Sequence, residues 1–315
     1  MAPATKNAFA NKNAFATKNE FATKKLAVAA EKLAFATKKL ARKEVVLFLA
    51  LTLCLSTVFY YLIPKAQTNS DALLLTALLM WCPAVAAILT RLHYQKNLDG
   101  FGFGWNETRW QLAGAFIPVL LGLAMFGSVW LAFGAFNVQT AEQMFSTAFL
   151  FAFASSLALN LLFALGEELG WRGLLVPELS KFTGFTKLAL LSGTIWMSWH
   201  LPLILFGSYH GSGPLWFSLA MFAPSVIGSG VVIAWLRLKS GSVWPAVFFH
   251  GVWNYFIQRF YPSLTFSSPE TDAILGEFGW ASPVLFVVLA FVCWHYRGKL
   301  PKVTLKTVKP SQPQA

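Results

Sequence analysis

This chain is short of charge. Of its 315 residues only 12% are Asp, Glu, Lys or Arg, and 13 are acidic. A soluble domain has about a quarter of its residues charged, so a water-facing globular fold is excluded. Cysteine is scarce as well. Cys54, Cys82 and Cys293 each fall inside an apolar run, which argues against a disulfide framework or a cysteine metal set and predicts buried small apolar residues. No short apolar segment with a small-residue cleavage site stands ahead of the first long hydrophobic run, so a secretory signal is not expected. What the chain has instead is apolar bulk: 56% hydrophobic residues, 30 Phe and 13 Trp, and a mean hydropathy of +0.56.

Eight apolar runs follow one another, at 45–63, 72–90, 113–135, 146–168, 188–206, 215–236, 244–260 and 280–296. Each suits a hydrocarbon core of about 30 Å when helical, and lipid offers backbone groups no other partner. The expected fold is therefore all-α, a polytopic membrane bundle of about eight transmembrane helices, in a plasma or internal membrane. The net charge of +12 would point to nucleic acid in a soluble chain. Here the cations sit in tails and loops, where topology and anionic lipid account for them, and no nucleic-acid partner is expected. With the N-terminus inside and the spans alternating, all but Lys65 and Arg259 of the 25 basic residues face inward. Both termini are accordingly expected in the cytoplasm.

Three segments follow. Residues 1–43 repeat a basic unit (Asn7–Lys12, Asn13–Lys18, Asn19–Lys24) and then a looser Lys-Leu-Ala pattern; they are expected as a tail touching the inner leaflet. Residues 44–298 form the membrane domain, and 299–315 a basic C-terminal tail. The inner loop 91–112, with its Gly100-Phe-Gly-Phe-Gly-Trp105 run, is expected to turn at the membrane interface.

The chain's few polar groups inside spans form three clusters. The first is Glu167, Glu168 and Arg172, closing an uncharged run from Ser146 to Leu165. Glu168 and Arg172 are four apart, acid first, the favourable order for an ion pair, which leaves Glu167 on another face. The bland alternative makes Glu, Trp171 and Arg172 an interfacial anchor at a helix end. The second cluster is Trp196-Met-Ser-Trp-His200, with the ring of Trp196 placed to buttress His200. The third is His250-Gly-Val-Trp-Asn254, whose polar residues share a helix face. Ionisable groups this far inside apolar spans point to a functional site.

Their chemistry suits amide hydrolysis. A carboxylate and an imidazole can deprotonate a water, and a second imidazole with a carboxamide can donate hydrogen bonds to an oxyanion. Ser198 lies two residues from His200 and should face away, so direct attack by water is preferred to an acyl-enzyme. No cofactor is required by this scheme. Glu167, His200 and His250 are also a possible zinc set, although the His-Glu-x-x-His signature is absent. Counting about 1.5 Å per residue from Leu188 places His200 nearly 20 Å along its helix, whereas Glu167 closes its span. A funnel open to the cytoplasm would reconcile the two depths.

Glu-Glu-x-x-x-Arg, then an aromatic-x-x-x-His, then His-x-x-x-Asn, each on its own hydrophobic segment between residues 110 and 260, resembles the CAAX protease and bacteriocin-processing (CPBP, or Abi) family of intramembrane endopeptidases. One departure is Trp196, where that family usually has Phe. The resemblance implies a helical core with a cavity open to the cytoplasm, and cleavage of membrane-associated, including prenylated CAAX-type, substrates. By position it gives Glu167 and His200 the activation of water, His250 and Asn254 the oxyanion, and Glu168 and Arg172 a supporting role. A non-catalytic bacteriocin-immunity or partner-binding protein on the same scaffold is the alternative. A proton-coupled carrier is a third class, but no matching pair of broken helices supports it.

Overall fold

The computed structural model of the chain describes residues 4–144 and 146–301, with side chains from Lys25 onward. Helix α1 (Ala4–Leu62) runs unbroken past residue 43, so the repeat segment and the first apolar run share one helix. A 3-10 turn follows at Ile63–Lys65. Next come α2 (Asn69–Gln95), α3 (Thr108–Phe133), the short α4 (Val138–Gln143) and α5 (Thr147–Glu168). The chain then widens into a π-helical segment, Leu169–Leu175, and closes with α6 (Val176–Ser180). After it stand α7 (Phe185–Phe206), α8 (Leu215–Ser240) and α9 (Trp244–Tyr255), which passes into a second π segment, Phe256–Phe260, and α10 (Tyr261–Ser263). The last helices are α11 (Pro269–Ile274) and α12 (Ala281–His295). Most of the C-terminal tail, residues 302–315, lies outside the described residues.

Local chemistry sets the ends. Ser146 accepts a hydrogen bond from the Phe149 amide to start α5, and Thr68 accepts one from Asp71 to start α2, each satisfying a donor the first turn leaves free. Gly241, at φ +69°, ends α8 in the left-handed region. Both π segments stand just before a proline. Pro262 has no N–H to give to the Gln258 carbonyl one turn back, and Pro177 stands in the same relation to Gly173.

Seven helices among the described residues are long and apolar enough to cross a membrane. The eighth expected run, 244–260, is present as a continuous helical stretch, but its α-helical part is only 12 residues before it widens. The fold is thus the expected all-α polytopic membrane bundle, with one interrupted span. Helix α9 packs between α3 and α5, α2 between α1 and α5, and α8 between α7 and α12. Glycines bring helices close: a Cβ on Gly230 would stand 3.0 Å from the Gly193 Cα, where α8 crosses α7.

The end of the bundle holding the 96–107 loop is tightly sealed. Phe101 is fully buried. The loop is therefore not confined to the interface as its composition suggested; one aromatic plugs the bundle, while Phe103 and Trp105 stay exposed. Gly100 and Gly102 have φ of +89° and +82°, a conformation that lets the backbone pass close to Arg91 and Arg237. Arg237 donates to the carbonyls of Gly100 and Arg172, both at 2.8 Å. Beside it, Arg91 bridges Glu44 (3.0 Å) and Glu178 (2.9 Å), all three side chains buried. Of the cysteines, Cys82 and Cys293 are buried as expected, but Cys54 is exposed, on a helix whose outer face meets lipid rather than protein.

Candidate active site

Three helices carry the motif residues into one cavity of about 430 Å³. On α5, Ser156, Asn160, Phe163 and Glu167 recur at helical steps and line one wall. On α7 the lining residues include Trp196, Trp199 and His200, and on α9 they include His250, Trp253 and Asn254. The four groups singled out for chemistry, Glu167, His200, His250 and Asn254, therefore share one space. The depth mismatch between Glu167 and His200 closes because the cavity runs along the helices.

The interfacial-anchor reading fails on burial: Glu167, Trp171 and Arg172 are each 1% exposed and Glu168 is 0%. Glu168 accepts from Arg172 Nη1 at 2.8 Å, as the spacing predicts, and from His250 Nδ1 at 2.9 Å on the same oxygen, Oε1. The second contact was not visible in the sequence. Charge-assisted hydrogen bonds of this kind are about twice as strong as neutral ones, and here one carboxylate fixes both a cation and an imidazole.

Trp196 holds the centre. Its indole N–H donates to Glu167 Oε2 at 2.7 Å, with Trp171 adding a longer donation at 3.4 Å. Its ring stands 5.7 Å from His200 and 5.2 Å from His250, and the Arg172 guanidinium lies 4.2 Å over its face. The buttress to His200 is therefore one of four contacts. A Phe could stack as well, but it could not donate to Glu167.

The imidazoles differ in what they can offer. His200 Nδ1 lies 2.9 Å from the Trp196 carbonyl. A carbonyl only accepts, so Nδ1 carries the proton and Nε2 keeps its lone pair. His250 gives Nδ1–H to the Arg-paired carboxylate of Glu168, so its Nε2 donates only when the ring is an imidazolium. Ser198 is exposed and bonds back to the Thr194 carbonyl, so it takes no part in the cavity. Behind His200, Tyr60 donates to the Trp199 carbonyl (2.5 Å), and Trp199 donates to Ser56 (2.8 Å), which fixes the helix turn that bears the imidazole.

No three His, Cys, Asp or Glu side chains among the described residues converge as a metal set. Glu167, His200 and His250 share the cavity wall, but the indoles of Trp196 and Trp171 occupy Glu167 Oε2, and the donors do not gather on one point. No step is routed through a metal.

Several lining groups lay outside the sequence motifs. Tyr209, in the 207–214 loop, stacks on His200 at 6.0 Å and donates to Glu277 at 2.8 Å. Glu277, Gln258 and Arg259 complete the rim. Burial pushes the Glu277 carboxyl up from its ordinary value, against the opposing hydrogen bonds from Gln258 and Tyr209. These residues sit in loops or within the π turn, where helical spacing gives no warning of them. No lining residue comes from the sealed end at 96–107, so the rim and the cation-rich loops lie at opposite ends.

Residues 149–256 match the family model described as type II CAAX prenyl endopeptidase, Rce1-like. A curated relative, the CAAX prenyl protease 2 of Methanococcus maripaludis, is 33% identical over 126 residues, which is 38% of this chain and 46% of that protein. The chain thus spans about half the length of that relative. Across residues 149–256, which hold Glu167, His200, His250 and Asn254, this integral membrane chain is similar to the Rce1-like CAAX prenyl endopeptidases.

Proposed function

We propose that the protein is an intramembrane endopeptidase that cleaves membrane-associated, lipid-anchored peptides with water as the nucleophile. The observation that carries this reading is the single cavity lined by Glu167, His200, His250 and Asn254. A water between Glu167 and the bare Nε2 of His200 gives its proton to that pair as its oxygen attacks the scissile carbonyl carbon. The carbonyl oxygen becomes an oxyanion that takes hydrogen bonds from the His250 imidazolium and the Asn254 carboxamide. The proton then passes to the leaving nitrogen as the C–N bond breaks, giving a carboxylate and an amine.

Each remaining residue has a supporting part. Trp196 and Trp171 hold Glu167 in one rotamer, and Glu168, anchored by Arg172, holds His250. Exposed Leu73 on α2 and Leu159 on α5 line the cavity beside Thr76 and Ser156. This apolar flank suits a substrate that arrives attached to lipid. A farnesylated CAAX-type peptide is the first substrate to assay, given the relative's name. Glu167→Gln and His200→Ala are each expected to lower kcat/KM at least 100-fold with the thermal midpoint little changed. Cleavage at the wild-type rate by both would leave the partner-binding alternative standing.

A further inference from the structure

Besides the imidazoles, the charged side chains lining the cavity among the described residues are Glu167, Glu277 and Arg259. Glu167 is held deep by two indoles. Glu277 is engaged at the rim: Tyr209 donates to it at 2.8 Å, and Gln258 adds a second side-chain hydrogen bond. Arg259 differs from both. It is exposed, and its guanidinium forms no ion pair, hydrogen bond or ring contact among the described residues. The buried arginines Arg91, Arg172 and Arg237 are all bonded within the protein. Lys65, the other cation at this end of the bundle, stands 3.4 Å from the centre of the Tyr61 ring and is not part of the lining.

An arginine that faces a cavity on a membrane-spanning stretch calls for an anion. Its planar fork fits a carboxylate through two parallel hydrogen bonds. Arg259 lies five residues beyond Asn254 on one continuous helical stretch, so it stands at most about 7.5 Å further along the axis. An extended peptide covers that span in about two or three residues. The apolar flank of Leu73 and Leu159 belongs to α2 and α5, and it suits the lipid-anchored half of a peptide. The rim at Arg259 is then left to the half that departs.

We infer that Arg259 binds a carboxylate on the departing side of the substrate, about two or three residues from the scissile bond. It is a specificity-determining residue, selecting peptides by a negative charge at that place. The inference rests on the endopeptidase reading for the direction in which the peptide lies. The carboxylate has two sources, the end of the peptide chain or an Asp or Glu side chain.

The test uses the full chain in detergent carrying Glu167→Gln, so that peptide is bound without being cleaved. The probes are three fluorescent, farnesylated CAAX-type peptides: the free acid, its C-terminal amide, and an amide whose last residue is Asp. Binding is read by fluorescence anisotropy. The free acid is expected to bind roughly 10- to 100-fold tighter than the plain amide, as loss of a hydrogen bond to a charged group implies. The Asp amide separates the sources: binding like the acid means that any carboxylate serves, and binding like the plain amide means that the chain end alone does. Adding Arg259→Gln is expected to level acid and amide, Arg259→Lys to restore part of the difference, and Lys65→Gln to keep all of it. Equal binding of acid and amide, no binding of the acid, or a preference that survives Arg259→Gln overturns the inference. A preference for the acid without cleavage by the wild-type chain would sink the endopeptidase reading and leave the carboxylate contact standing.

Discussion

Replacing Glu168 separates two roles that one carboxylate plays. Its Oε1 accepts from Arg172 at 2.8 Å and from His250 at 2.9 Å, and all three side chains are at most 6% exposed. Glu168→Gln leaves Arg172 as a buried cation without its counter-charge, a change that typically costs about 3–5 kcal/mol. For a chain of this size each kcal/mol moves the thermal midpoint by roughly 2–4 °C, so a fall of about 10 °C is expected. Removing Arg172 as well, as Glu168→Gln with Arg172→Met, replaces the pair by neutral groups of similar size, which is often close to neutral for stability. The midpoint should then recover most of the way. Activity should not. His250 still lacks the charged partner that fixes its ring, a hydrogen bond worth about 1.5–3 kcal/mol, or roughly 10- to 100-fold in rate. The assay is paired: thermal unfolding in detergent, and kcat/KM on a farnesylated peptide. A double variant that recovers both stability and activity would refute the argument that Glu168 positions His250.

Three further outcomes follow from the same geometry. Cleavage is expected to continue at an unchanged rate after exhaustive chelation, with no stoichiometric metal by elemental analysis; loss of activity restored by zinc would contradict the donor arrangement. Gly170→Ala puts a methyl group into the Pro83 backbone, an overpacking that costs about 1–3 kcal/mol, and should lower the midpoint by several degrees. Glu277 has a pH signature. Because its carboxyl is raised in the folded state, it binds its proton more tightly there than when unfolded. The cost of ionising it is absent below the unfolded value, grows as pH rises through the window up to the folded value, and is constant above. Glu277→Gln should therefore raise the midpoint at neutral pH and leave it unchanged near pH 4.

The membrane bundle was legible because lipid permits so few backbone solutions that apolar run length nearly decides the fold. The pairing of Glu168 with Arg172 was legible because a four-residue step fixes a shared face. The bond from Trp196 to Glu167, and that from His250 to Glu168, were not, since each joins residues from different helices whose rotation only packing determines. Tyr209 and Glu277 were hidden for a related reason: loop residues have no period that aims them. The interruption of the seventh run had a trace in Pro262, as the widening after Glu168 had one in Pro177, yet a proline signals a disturbed helix without saying whether it kinks, breaks or widens. Cys54 was misplaced because an apolar neighbourhood in sequence does not distinguish lipid contact from protein contact.

The wide turn from Leu169 to Leu175 has a consequence for how this segment tolerates change. A coil that carries more residues per circuit than its neighbours stores a surplus position. Deleting a single residue there would let the backbone tighten to the ordinary winding, with the helix on either side keeping nearly its present phase. Removed from between Glu168 and Arg172, it would leave the two three residues apart, a spacing that still shares a face. The spare position is slack that this segment can lose, whereas the same deletion in an ordinary turn would rotate everything beyond it by about 100°.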